Sequence, residues 1–165
     1  MILVRSLEPA QWAIWRQLRL RALKDSPEAF GSSLAATLER EAREGEAFWR
    51  GYFSETGPVL IAELDGVPAG MARLVVEDPA DSAHLYSLWV APEARGRGAG
   101  EQLLRTAADW LAARHPGTAL RLDVVATNRP ARRLYERLGF TVLGPNPEDD
   151  AELVMEQRLE PRPDR

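Results

Sequence analysis

The sequence has no cysteine, a single lysine and two histidines. The first absence excludes a disulfide framework, a thiolate metal site and every mechanism that runs through a cysteine nucleophile. His84 and His115 cannot make a metal cluster by themselves, so no metal is expected. No apolar run approaches the roughly 18 residues that span a bilayer. The start, MILVRSLEPAQW, lacks a basic stretch followed by an apolar core. The expected location is therefore the cytoplasm, without a membrane partner. Concentrated positive charge is missing too: the net charge is −4, which argues against a nucleic-acid partner. With no internal repeat, linker or low-complexity segment, the 165 residues read as one domain over 1–160 and a frayed tail at 161–165.

What is present alternates strand and helix signals. Residues 2–5 predict a short strand, and Ser6 to Pro9 opens a helix in which Trp12, Trp15, Leu18 and Leu23 recur at helical spacing. Lys24 to Pro27 ends it. A second helical region lies between Leu34 and Phe53, broken at Gly45, with Phe48, Trp49 and Tyr52 on one side as core. PVLIAEL, the turn Asp65-Gly66 and VPAGMARLVV predict a hairpin, because Asp-Gly between apolar runs favours positive φ. His84 to Val90 is the next strand, followed by a helix from about Gly98 to Arg114 that His115-Pro116-Gly117 stops. Residues 119–126 are β-rich, Asn128 caps a short helix ending near Leu138, and FTVLG begins another strand. An acidic loop, Pro145 to Asp150, precedes the last strand, AELVMEQRL. The sum is a mixed α/β domain of about seven strands and about four helices.

The most informative stretch is Leu88 to Leu104, where an apolar strand runs through Arg95-Gly96-Arg97-Gly98-Ala99-Gly100 into a helix. Glycines remove the Cβ atoms that hold a phosphate off the backbone, and the unpaired N–H groups of the first helical turn face an anion. The plain alternative is an arginine-rich turn that needs glycine for shape alone. A Walker loop is excluded, since it ends Gly-Lys-Ser/Thr and Lys24 lies far upstream. A dinucleotide fingerprint wants glycine where Glu101 stands, although Asp123 lies at a suitable distance downstream.

A second constellation runs from Asn128 to Phe140. Asn128 and Tyr135 are seven residues apart, nearly two helical turns, so both can face one ligand. Taken alone, Asn128 reads equally as a cap and Tyr135 as a packing residue. Together, Arg95-x-x-Gly98-x-Gly100 and Asn128-x-x-Ala131-x-x-Leu134-Tyr135-x-x-x-Gly139-Phe140, with Leu88-Trp89-Val90 before the loop, resemble the GNAT superfamily of acyl-CoA-dependent N-acetyltransferases. The likeness is specific from about Ile61 to Val142.

The resemblance implies a central, mixed, mostly antiparallel sheet with a splayed parallel strand pair that holds acetyl-CoA. It implies CoA contacts from Leu88, Trp89, Val90, Arg95, Gly96, Arg97, Gly98, Ala99 and Gly100, and from Asn128, Arg132 and Tyr135 on the later helix. Main-chain groups at Leu88 and Val90 would pair with the pantetheine amides, and the Val90 region would steady an oxyanion. Tyr135, a phenol that stays protonated at neutral pH, fits the acid that protonates the leaving thiolate. Several members of that superfamily carry a glutamate base eleven residues before the loop's first residue, and counting back from Arg95 reaches His84. An imidazole suits proton uptake at neutral pH, yet His84 reads equally as a strand histidine without a role, and Glu63, Glu77 and Tyr86 stand as substitutes. Without cysteine, direct transfer in a ternary complex is expected.

The resemblance places the acceptor between Asp25–Leu34 and Gly144–Ala151. Glu148, Asp149 and Asp150 there would draw cationic amines such as polyamines, lysine side chains or aminoglycosides, or serve only solubility. Trp12, Trp15, Trp49 and Trp89 either line an aromatic pocket or belong to the core. Two other classes remain open, a catalytically silent acyl-CoA sensor or interaction module and a dinucleotide-binding fragment. The sequence leaves the oligomeric state unread; homodimers are common in the superfamily.

Overall fold

A computed structural model of the protein describes residues 1–30, 32–77 and 81–158. Among them are seven strands and five α-helices. The strands are β1 (Ile2–Ser6), β2 (Val59–Leu64), β3 (Val67–Val76), β4 (Ser82–Val90), β5 (Ala119–Val125), β6 (Thr141–Asn146) and β7 (Asp149–Arg158). The helices are α1 (Trp12–Asp25), α2 (Leu34–Glu44), α3 (Glu46–Arg50), α4 (Ala99–Arg114) and α5 (Arg129–Arg137). The helical region expected over Leu34–Phe53 breaks at Gly45, as its sequence indicated: Gly45 takes φ +65°, ends α2 and precedes α3. That makes five helices where about four were expected. Leu159, the expected end of the last strand, and the tail 161–165 lie outside the described residues.

The strands form one sheet in the order β1-β2-β3-β4-β5-β7-β6. Asp65 (φ +50°) and Gly66 (φ +84°) make the tight turn of the β2–β3 hairpin, and both need the positive φ that this dipeptide tolerates. β4 and β5 are parallel neighbours, which forces a crossover, and α4 supplies it. The expected acidic loop 145–150 is shorter than its composition suggested. Asn146 pairs with Asp149, so only Pro147 and Glu148 turn and the other acidic residues begin β7.

The sheet is covered on both faces. On one, Leu103, Leu104, Ala107 and Leu111 of α4 pack with Leu74, Leu85, Leu120 and Leu122, and Tyr135 of α5 joins them. On the other, Trp15, Leu18 and Ala22 of α1 and Trp49 of α3 pack on Ile61, Met71 and Trp89. Alternation along each strand sorts the side chains between these layers. Trp15, Trp49 and Trp89 are therefore core, as helical spacing indicated for Trp15. Among the described residues, no helix is long and apolar enough to cross a membrane.

Candidate functional site

The site begins where β4 and β5 part. They pair from Ser82↔Ala119 to Leu85↔Leu122 and no further, although β4 runs on to Val90 and β5 to Val125. The cause is local. Ser87 has φ +60°, and the β3–β4 register slips there, so Ser87 and Leu88 together stand opposite Ala72. Such a bulge bends its strand away from its neighbour. Beyond the bulge, Ala91 N–H donates to Ala69 O at 2.8 Å. By the alternation of antiparallel pairs, the N–H and C=O of Val90 turn away from β3 and into the gap.

That gap opens into a groove of about 670 Å³. Its walls are Leu88, Trp89 and Val90 on one side, Asn128, Ala131, Leu134 and Tyr135 on the other, and Arg95, Gly96, Gly98, Ala99 and Gly100 at its end. Gly98 caps α4 with φ +82°, a left-handed conformation that costs a residue with a Cβ about 1 kcal/mol or more. The first N–H groups of α4 consequently end at the groove without i−4 carbonyls, and the helix dipole adds partial positive charge. These features fit an acyl-CoA pyrophosphate: glycine-lined backbone, free donors and a wall wide enough for an extended arm.

The arginines of the loop are placed differently from its glycines. Arg95 donates from Nη2 to Asp25 Oδ2 at 2.6 Å and from Nε to Val90 O at 3.0 Å. Asp25 also accepts from Trp89 Nε1 at 3.0 Å and from the Ser26 hydroxyl at 2.8 Å. The Ser26 hydroxyl, then Trp89 and Arg95, hold the Asp25 carboxyl down to about 2. Arg95 thus fastens the loop to the end of α1 and is one of the residues at the end of the groove. Arg97 is exposed and its charge reaches Asp65. Arg132 donates to Ala126 O at 3.0 Å and braces the β5–α5 turn; neither Arg97 nor Arg132 is among the groove-lining residues. Glu101, awkward beside a phosphate, is paired to Arg105 at 2.9 Å.

Tyr135 and Asn128 do share one side of α5 and line the same groove. Asn128 Oδ1 accepts from Ala131 N–H at 3.3 Å, so the cap and the groove position coincide. Burial alone pushes the Tyr135 phenol up to about 12, which keeps it protonated over the whole neutral range.

A smaller chamber of about 110 Å³ continues from Tyr135 past Ser87 and Leu88 to Asp123 and Glu152. A further one, about 290 Å³, lies beyond Ser87 between Arg19, Phe30, Tyr52, Arg73 and Tyr86, and again touches Asp123 and Glu152. His84 is not among the residues lining either chamber. Its Nε2 lies 2.9 Å from Asp123 Oδ2, and its ring sits 4.6 Å from that of Tyr86. Glu152 is held above the usual carboxylate range, first by burial and then by the charges of Asp123 and Asp149. Glu148 stands close enough for its charge to act on Tyr86. Of the substitutes for the base, Glu63 is tied to Arg5 at 2.8 Å and lines neither chamber, and Tyr86 lines the larger one.

Sequence reasoning missed Asp25, Ser87, Arg19, Arg73, Asp123 and Glu152. The signal for Arg19 was present, since an arginine stood on the helical stripe of Trp15, Ala22 and Leu23. Asp123 was noticed only as a dinucleotide contact, which needs a strand end, whereas it lies within β5.

A family model described as the acetyltransferase (GNAT) family matches residues 27–140. The chain is 36% identical over 131 residues to the mycothiol acetyltransferase of Acidimicrobium ferrooxidans, covering 78% of this chain and 39% of that protein. It spans less than half the length of the curated relatives it matches in this way. Among solved structures, an acetyltransferase of the GNAT family from Streptococcus pneumoniae superposes with a TM-score of 0.78 at 22% identity, covering 96% of this chain and 99% of that one. The PaiA N-acetyltransferase of Thermoplasma acidophilum, in complex with coenzyme A, gives 0.74 at 19% identity, with 96% and 99% covered. At these identities the likeness concerns the fold.

Proposed function

Because the chain belongs to the acetyltransferase (GNAT) family, we propose that it is an N-acetyltransferase, moving an acetyl group from acetyl-CoA to a primary amine by direct attack in a ternary complex. The observation that carries this reading is the gap between β4 and β5, which leads from the glycine-rich start of α4 to the buried phenol of Tyr135.

The first turn of α4 takes the pyrophosphate on its N–H groups, and the Leu88–Val90 backbone, released from β5, pairs with the amides of the pantetheine arm. The thioester carbonyl then lies at a fixed point, where the N–H of Val90 stabilises the oxyanion. The amine enters past Ser87 as an ammonium and gives one proton to the Asp123–His84 pair, from which it passes to solvent. Its lone pair attacks the carbonyl carbon. The C–S bond breaks, sulfur takes the proton of Tyr135, and Tyr135 recovers a proton from the product nitrogen. The balance is one ammonium and one thioester giving one amide, one thiol and one proton.

The reading is tested by following CoA release from acetyl-CoA against a panel of polyamines, aminoglycosides, amino acids and lysine peptides. Amine-dependent release by one class is expected; release that does not depend on any amine would contradict the transferase reading.

A further inference from the structure

The larger chamber holds two guanidinium groups, Arg19 and Arg73, that form no ion pair among the described residues. Arg19, on α1, is buried to 7% exposure, and its Nε and Nη1 have no hydrogen-bond partner. Its guanidinium lies 4.7 Å from the centroid of Phe30 and beside the Tyr52 hydroxyl. Arg73, on β3, sits between the rings of Tyr52 and Tyr86, at 5.0 Å and 5.1 Å, and its buried Nε is also without a partner. Among the described residues, neither has a carboxylate within ion-pair distance. Burial pulls both below the ordinary arginine range, and the charge of Arg73 adds to this at Arg19; Tyr52 acts the other way on both, as do Glu55 and Tyr86 on Arg73. Buried charges are normally paired, and a guanidinium with open donors presents a fork that fits a carboxylate. Two adjacent, unpaired guanidiniums facing a cavity therefore describe a place for an anion.

The same chamber also has carboxylates in its lining. Asp123 and Glu152 touch this chamber and also the smaller one that reaches Tyr135, with Ser87 at the junction. An ammonium held there lies on the route to the reacting centre, while an anion on the same molecule reaches back to Arg19 and Arg73. At about 290 Å³ the chamber suits a small molecule rather than a long polyamine.

We infer that the acceptor is a small primary amine that also carries a carboxylate, with Arg19 and Arg73 binding the carboxylate and Asp123 and Glu152 the amine. This rests on the transferase reading above but narrows it, and it reverses the preference for purely cationic amines that the acidic β6–β7 turn suggested. Arg19 and Arg73 are then specificity residues that touch the substrate away from the reacting atoms.

The test compares matched pairs, free amino acids against their C-terminal amides and their decarboxylated amines, by kcat/KM for CoA release and by calorimetric binding to the CoA-saturated protein. The carboxylate-bearing member is expected to lead by at least about tenfold in both. Arg73→Gln and Arg19→Gln should bring the members of a pair together, Arg73→Lys should restore part of the gap, and acetyl-CoA affinity should stay unchanged as the control for folding. Equal use of amides and acids by the wild-type protein, a preference that survives both Gln variants, or a panel in which no carboxylate-bearing amine binds or reacts would overturn the inference while leaving the transferase reading in place. Failure to bind acetyl-CoA would overturn both, and is read separately from the amine arms.

Discussion

His84 and Asp123 meet across the parallel pairing of β4 and β5, with Nε2 of the imidazole 2.9 Å from Oδ2 of the carboxylate. The carboxylate lines both inner chambers and the imidazole stands behind it. A proton taken from an incoming ammonium can therefore pass through the pair without His84 touching substrate.

If the pair takes up that proton, His84→Gln should keep a donor to Asp123 and lose the proton store. We expect kcat/KM for the amine to fall by roughly 10- to 100-fold. Acetyl-CoA binding should not change. A kcat/KM equal to that of the wild type would make His84 a packing residue.

Tyr135→Phe removes the phenolic proton and leaves the ring. The expected result is a kcat lower by roughly 10- to 10⁴-fold with little change in acetyl-CoA affinity. Single-turnover measurements separate this from product release, and a loss of affinity in place of rate would assign Tyr135 to packing.

The same phenol carries a stability signature. Its pKa in the folded state is pushed up to about 12 by burial, whereas an unfolded tyrosine ionises near 10. Between these values the unfolded chain binds fewer protons than the folded one, so stability falls as pH rises through that window. The full loss is on the order of 2 to 3 kcal/mol. Denaturant unfolding from pH 9 to 12 should show the fall, and Tyr135→Phe should reduce it.

Asp25 behaves in the opposite sense. Its folded-state pKa is depressed to about 2 by the Ser26 hydroxyl, Trp89 and Arg95, so its contribution is complete above the ordinary aspartate value and is lost as pH falls from about 4 to 2. Asp25→Asn should weaken the hold on Arg95 at neutral pH, lower acetyl-CoA affinity through a looser loop, and flatten stability in that acid window. Wild-type affinity in Asp25→Asn would mean that the loop holds its shape without this anchor.

Much of this architecture was legible because its signals are local. Asp65-Gly66 names its own turn, Gly98 its own left-handed cap, and Asn128 its own helix start. The spacing of Asn128 and Tyr135 put them on one helix side, and both line the groove. Relations between distant segments were not legible. Nothing in the sequence gives the register of β4 on β5, so the meeting of His84 with Asp123, 39 residues on, had no local trace. The bulge at Ser87 was hidden because serine is not a residue that advertises positive φ. Arg95 matched its motif, yet its partner Asp25 lies 70 residues away and turns the side chain into an anchor. The acidic run near 148–150 was misread as a loop because composition records charge and not pairing. Tyr52, taken as core with Phe48 and Trp49, does pack on that core and lines the larger inner chamber as well.

The β4–β5 gap together with the start of α4 is the proposed acyl-CoA site. Calorimetric titration of the protein with acetyl-CoA, with NADH as the control ligand, tests it most directly. The account predicts one-to-one binding in the micromolar range for acetyl-CoA, none for NADH, and a marked loss in Gly98→Ala, whose backbone would have to leave its left-handed cap. No heat of binding with acetyl-CoA, or equal binding of NADH, would contradict it.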